Sequence, residues 1–89
     1  MAEDIKLDGH HRATVEKIFQ HPTGHNIQWH DVLSLLTAAG HVEEPHDGRF
    51  LVTLGGETQM FDAPKGRDVG TQQIVDLRRM LTSAGLAPD

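Results

Sequence analysis

The chain has no cysteine, a single tryptophan and little positive charge among its 89 residues. Without cysteine, disulfides and thiolate metal sites are excluded. No stretch approaches the roughly 18 consecutive apolar residues that a membrane-spanning helix requires. The first residues, MAEDIKLDGH, carry acids and no apolar run, so neither a signal peptide nor an anchor is expected there. The expectation is a cytoplasmic protein with no membrane partner. Eighty-nine residues make one domain. A domain of that size buries roughly 60–65% of the surface its unfolded chain exposes, enough for one core but not for a deep cavity.

The formal charge is −5, which argues against a strong nucleic-acid binder. The excess acid lies wholly in residues 1–47, where Lys6, Arg12 and Lys17 face eight acids. Residues 48–89 balance five cations (Arg49, Lys65, Arg67, Arg78, Arg79) against five acids. The second half can therefore carry a local basic patch.

What is present is periodicity. Residues 1–9 are polar and aperiodic and are expected to be disordered. Residues 10–25 hold a helix over Arg12–Phe19, with Val15, Ile18 and Phe19 on one face, and the loop HPTGH. A longer helix follows in NIQWHDVLSLLTAAG. Trp29, Val32, Leu33 and Leu36 form its apolar stripe, Gln28 is its N-cap, and Ile27 with Val32 makes a hydrophobic staple. Gly40 supplies a left-handed stop. Trp29 is expected to staple this helix to the core.

HVEE reads as a short edge strand and EPHDG as a turn. Residues 49–54 alternate, and Gly55-Gly56 marks a two-residue hairpin. That turn sets the register: Thr53 opposite Thr58, Val52 opposite Gln59, Leu51 opposite Met60, Phe50 opposite Phe61 and Arg49 opposite Asp62. Phe50, Val52, Leu54 and Phe61 then face the core. Arg49, Leu51, Thr53, Thr58, Met60 and Asp62 share the other face. A last helix covers Thr71–Ser83, with Ile74, Leu77, Leu81 and Ala84 as its stripe, widened by Val75 and Met80. Gly85-Leu86 fits a Schellman stop. Arg78 and Arg79 sit in the half of that helix where the dipole favours cations. The fold class is α+β, with helices covering one face of a three-stranded antiparallel sheet.

The pieces DGRFLVTL, GGETQMFDAP and GTQQIVDLRRMLTSAGL, in this order after a helix ending at Gly40, resemble the HicA family of bacterial toxins. The resemblance covers residues 26–87. It implies a fold similar to a double-stranded-RNA-binding domain, α-β-β-β-α, over residues 26–89, with an added N-terminal helix. It further implies an endoribonuclease that cleaves mRNA and is held by a HicB-like antitoxin, with no cofactor and no direct DNA partner. Family members carry a histidine at the start of the second strand, thought to cleave RNA. Here that position is Arg49. The slot of a second family histidine, after the hairpin proline, reads Lys65-Gly66.

RNA cleavage through the 2′-hydroxyl needs groups that titrate near neutrality, as histidine does. Arginine stays protonated, so Arg49 cannot be the base, but it can grip a phosphate with two parallel hydrogen bonds. Arg49, Lys65 and Arg67 read as a phosphate-binding surface. Thr53, Thr58, Arg78 and Arg79 extend the candidate RNA or partner surface. His41 and His46 lie near the entry to the second strand, and His46, three residues from Arg49 across a turn, is the imidazole that would replace the missing base. Arg49 also has a plain role, as the cross-strand partner of Asp62.

Three functions stay open. One is a HicA-like toxin or toxin-derived RNA-binding domain. The second is a non-catalytic protein- or RNA-interaction module on the same scaffold. The third is a histidine-dependent metal protein, suggested by seven histidines, of which His10, His11, His21, His25 and His30 cluster in sequence. Their spacing matches no recognised ligand motif, so they read as surface or capping residues and no metal is expected.

Overall fold

The computed structural model describes residues 7–20, 27–66 and 68–88. Helix α1 spans Gly9–Phe19, α2 Trp29–Ala39 and α3 Thr71–Ser83; strands β1, β2 and β3 span His41–His46, Arg49–Leu54 and Glu57–Asp62. The protein is α+β, with a three-stranded antiparallel sheet in the order β1-β2-β3. The loop HPTGH and Arg67 lie outside the described residues.

Helix α1 begins three residues before the expected start at Arg12. Its apolar repeat starts only at Val15, and its polar first turn is fixed instead by a cap. The Asp8 carboxylate accepts the backbone N–H of His11 at 2.9 Å. That bond holds the Asp8 carboxyl below its ordinary value of 3.8 against an opposing desolvation, with smaller help from the nearby His11 and His10. Val15 and Ile18 are buried with α2 and α3 in one hydrophobic cluster.

Helix α2 starts after Gln28, as expected, although the Gln28 side chain makes no capping bond. Asp31 stands in its first turn. Trp29, Val32, Leu35 and Leu36 are buried, whereas Leu33 is only half-buried. The helix is covered by α1 on one side and by the sheet on another, so its buried stripe includes Leu35, which a single-face reading omits. Gly40 ends the helix but is not left-handed: its φ is −152°. Its requirement is space. A Cβ there would lie 2.2 Å from the Thr53 carbonyl oxygen.

The expected β2–β3 register is present at all five positions, extended by Leu54 opposite Glu57. Both turn glycines have positive φ, 59° and 84°, as the two-residue hairpin requires. Gly55 is doubly constrained, because a Cβ there would sit 2.7 Å from the Ala84 Cβ. The β1–β2 connection is equally short. Strand β1 runs on to His46, past the expected end at Glu44, and Asp47-Gly48 alone makes the turn. Pro45 is accommodated because the register shifts between Glu43 and His46, a bulge on an edge strand.

Val52, Leu54 and Phe61 are buried under the helices, and Phe50 is half-buried beside them. Trp29 packs edge-on against Phe50, ring centroids 5.5 Å apart, and at 6.2 Å from Phe61. This fixes α2 to the sheet, as expected. Helix α3 buries Ile74, Leu77, Met80 and Leu81. Val75 is about half exposed and does not join that stripe. The Schellman stop is complete: Leu86 N–H donates to Leu81 O at 2.8 Å and Gly85 N–H to Thr82 O at 3.1 Å. No helix among the described residues is long and apolar enough to cross a membrane.

Candidate functional site

The uncovered face of the sheet consists of three cross-strand rows, because residues directly opposite in an antiparallel pair project to the same side. The first row is His46, Arg49 and Asp62; the second is Glu43, Leu51 and Met60; the third is His41, Thr53 and Thr58. Each row has its own chemistry. Thr53 and Thr58 join hydroxyls at 3.1 Å. Leu51 and Met60 make a short apolar strip, with Met60 43% exposed. Arg49 Nε donates to Asp62 Oδ1 at 3.2 Å.

Arg49 is therefore exposed at the start of β2, as the register predicted, with 54% of its side chain accessible. Its bond to Asp62 uses Nε alone. The two terminal nitrogens make no hydrogen bond to another described residue, and they are the pair that grips a phosphate.

The first row holds more than the sequence reading assigned to it. Counted along the chain, His46 is three residues from Arg49 across a turn. In the fold it is the direct Cα partner of Arg49. The bulge at Glu44-Pro45 restores the parity that brings His46 to the open face. An imidazole, a guanidinium and a carboxylate thus share one end of one surface. The turn beside them is held by Glu44 Oε2, which accepts Gly48 N–H at 3.1 Å. Lys65 is exposed in the segment that leaves this end of β3.

The other expected cations lie elsewhere. Helix α3 packs on the covered face, so Arg78 and Arg79 cannot join Arg49 on one flat surface. Arg78 donates Nε to Ile18 O at 2.7 Å and Nη2 to Gln20 O at 3.1 Å, closing the C-terminal end of α1. Arg79 is bound to the Glu57 carboxylate and the Gln59 side-chain oxygen. Both arginines serve internal contacts. Their sequence signal, adjacent cations late in a helix, does not tell an internal tether from a surface patch.

Of the histidine cluster, His21 and His25 lie outside the described residues, and His10 and His11 dock α1 on α2. His11 Nε2 lies 2.8 Å from Ser34 Oγ and joins α1 to α2. His10 and His30 approach the same oxygen of Asp31, at 3.3 and 3.4 Å. Among the described residues no group of three histidine, cysteine or acidic side chains is arranged to hold a metal ion. A shallow cavity of about 390 Å³ lies beside the start of α2, lined by Gln28, Trp29, His30 and Gly66.

Comparison with family models, with curated proteins and with solved structures finds no match to this chain.

Proposed function

We propose that the chain is a HicA-like, toxin-derived domain that binds RNA on its open sheet face and is held there by a HicB-like antitoxin. Two features support this reading. From α2 to α3 the element order is α-β-β-β-α, the order of a double-stranded-RNA-binding domain, with α1 added in front. The observation that carries it is Arg49. It stands exposed at the start of β2, where the family places its cleaving histidine, and its direct cross-strand partner on β1 is His46. A guanidinium held in this way suits a phosphodiester. The apolar strip of Leu51 and Met60 gives a protein partner something to cover on the same face.

The permanent charge of Arg49 favours binding over turnover at that position. Cleavage therefore falls to His46, the imidazole opposite it. The 2′-hydroxyl would attack the adjacent phosphorus as its proton passes to the imidazole. The bond to the 5′-oxygen would break with protonation by water. Arg49 would neutralise the charge that builds on the phosphate.

The test has two arms. Purified chain is titrated with single-stranded and duplex RNA at several salt concentrations, and RNA integrity is followed when the chain is expressed alone. Binding should weaken with salt. Arg49→Ala should remove about one phosphate contact, which lowers the slope of log K against log salt by about 0.7 on single strands. Intact RNA with salt-dependent binding assigns the non-catalytic module. Cleavage that His46→Gln abolishes assigns the enzyme. No binding in any salt condition overturns the RNA reading.

A further inference from the structure

We propose that two copies of the chain pair through β3, joining their sheets into one six-stranded surface.

The sheet has two edges, β1 and β3, and they differ. Strand β1 contains Pro45, a bulge between Glu43 and His46, and two adjacent acids. These are the features that keep an edge from pairing. Strand β3, ETQMFD, pairs with β2 at six consecutive positions without a bulge and contains no proline. Its central residues, Thr58, Gln59 and Met60, carry no charge.

The hydrogen-bond parity of β3 is fixed at its C-terminal end. Ala63 N–H points inward, donating to Gly48 O at 2.7 Å. The Asp62 carbonyl points outward, where Gln73 Nε2 reaches it. By alternation, the N–H and C=O groups of Thr58 and Met60 also point outward. No described residue bonds to these four groups. The strand that presents them is held from behind, because Arg79 binds the side chains of both Glu57 and Gln59.

One antiparallel register satisfies all four groups on each copy. With Gln59 opposite Gln59 of the second copy, Thr58 meets Met60 and Met60 meets Thr58, forming four inter-chain backbone bonds. Gln73, seated on the outward carbonyl of Asp62, ends the seam there. Glu57 then stands opposite Phe61, so no two like charges face each other across the seam. Met60, one of the two large apolar residues most exposed among the described residues, is partly covered by the second copy. Self-complementarity of this kind is what a two-fold interface demands, and it selects a second copy as the occupant over a foreign strand.

A single strand pair buries less than a standard interface, so the dimer is weak and its population depends on concentration. Each copy carries −5, so added salt tightens the association by screening the repulsion. Sedimentation velocity on the full 89-residue chain from 5 to 500 μM should show a monomer turning into a dimer. Two variants locate the seam. Thr58→Pro removes an outward N–H while leaving the ladder to β2 intact, and Met60→Lys places like charges next to the two-fold axis. Both should remain monomeric at 500 μM with unchanged circular dichroism. Hydrogen exchange at the Thr58 and Met60 amides should slow with concentration in the parent chain. A parent chain monomeric at 500 μM in high salt overturns the proposal. So does a dimer that Met60→Lys leaves unaffected, whether or not Thr58→Pro folds. Slowing of the two amides only when an unrelated extended peptide is added also counts against it, since the edge would then serve a foreign strand.

Discussion

Arg49 shows how much one side chain's position can be read from a turn several residues away. Gly55-Gly56 fixes the register, the register fixes the face, and the face exposes the guanidinium. His46 was harder to read, because its place depends on a bulge at Pro45 that shifts parity by one residue. Strand alternation counted through EPH puts it elsewhere. Asp62 restrains Arg49 from across the hairpin at 3.2 Å. Because both side chains are more than half exposed, the pair adds only about 0–1 kcal/mol to stability. Asp62→Asn should therefore leave the melting temperature nearly unchanged and, on the RNA-binding proposal, raise affinity for RNA severalfold, measured by fluorescence anisotropy at fixed salt. An unchanged or weaker affinity would mean that Asp62 does not compete for Arg49. Arg49→Lys keeps the charge but loses the planar fork, and should bind between the parent chain and Arg49→Ala.

Elements are set as much by their ends as by their stripes. The start of α1 escaped the periodic reading because it depends on Asp8 and not on an apolar residue. The Asp8 carboxyl is held below 3.8 in the folded chain. A depressed carboxyl stabilises the fold above its unfolded value and loses that contribution as pH falls through its folded value. Asp8→Ala should thus lower the melting temperature at pH 7 and change it little at pH 2, read by circular dichroism across that range. Equal destabilisation at both pH values would assign the effect to something other than the cap. Gly40 was legible as a helix stop, but its reason was not. The neighbour that forbids a Cβ is Thr53, thirteen residues on and in another element. Gly40→Ala should destabilise the chain by about 1–3 kcal/mol, as overpacking does, with a lowered urea midpoint, because the atom that a Cβ would meet is backbone. Val75 was misplaced for a related reason: periodicity gives a stripe's direction, and only the packed neighbours give its width.

At the scale of the molecule, the fold class, element order and sheet pairing followed from turns and periods alone. The status of α1 did not. A boundary at residue 26 separates it from the rest in sequence, yet Val15 and Ile18 lie in one cluster with Leu35, Leu77 and Leu81. Arg78 of α3 further spends two donors on carbonyls at the end of α1. A 27–89 fragment should accordingly lose cooperative thermal unfolding, and a sharp transition in calorimetry would show α1 to be dispensable. Leu77→Ala, in a fully buried site, should cost about 2–5 kcal/mol in urea denaturation.

Both hairpin connections are as short as such connections get, and Gly55 is wedged against Ala84. The second of these turns is hemmed in by the C-terminal end of α3. The connection from β3 to α3 borders the Arg49 end of the open face and is pinned near both ends, by Ala63 N–H on Gly48 O and by Val69 N–H on Ile27 O. Pro64, Lys65 and Gly66 lie between those two ties, and any lineage or designer altering what this scaffold recognises has those positions to change.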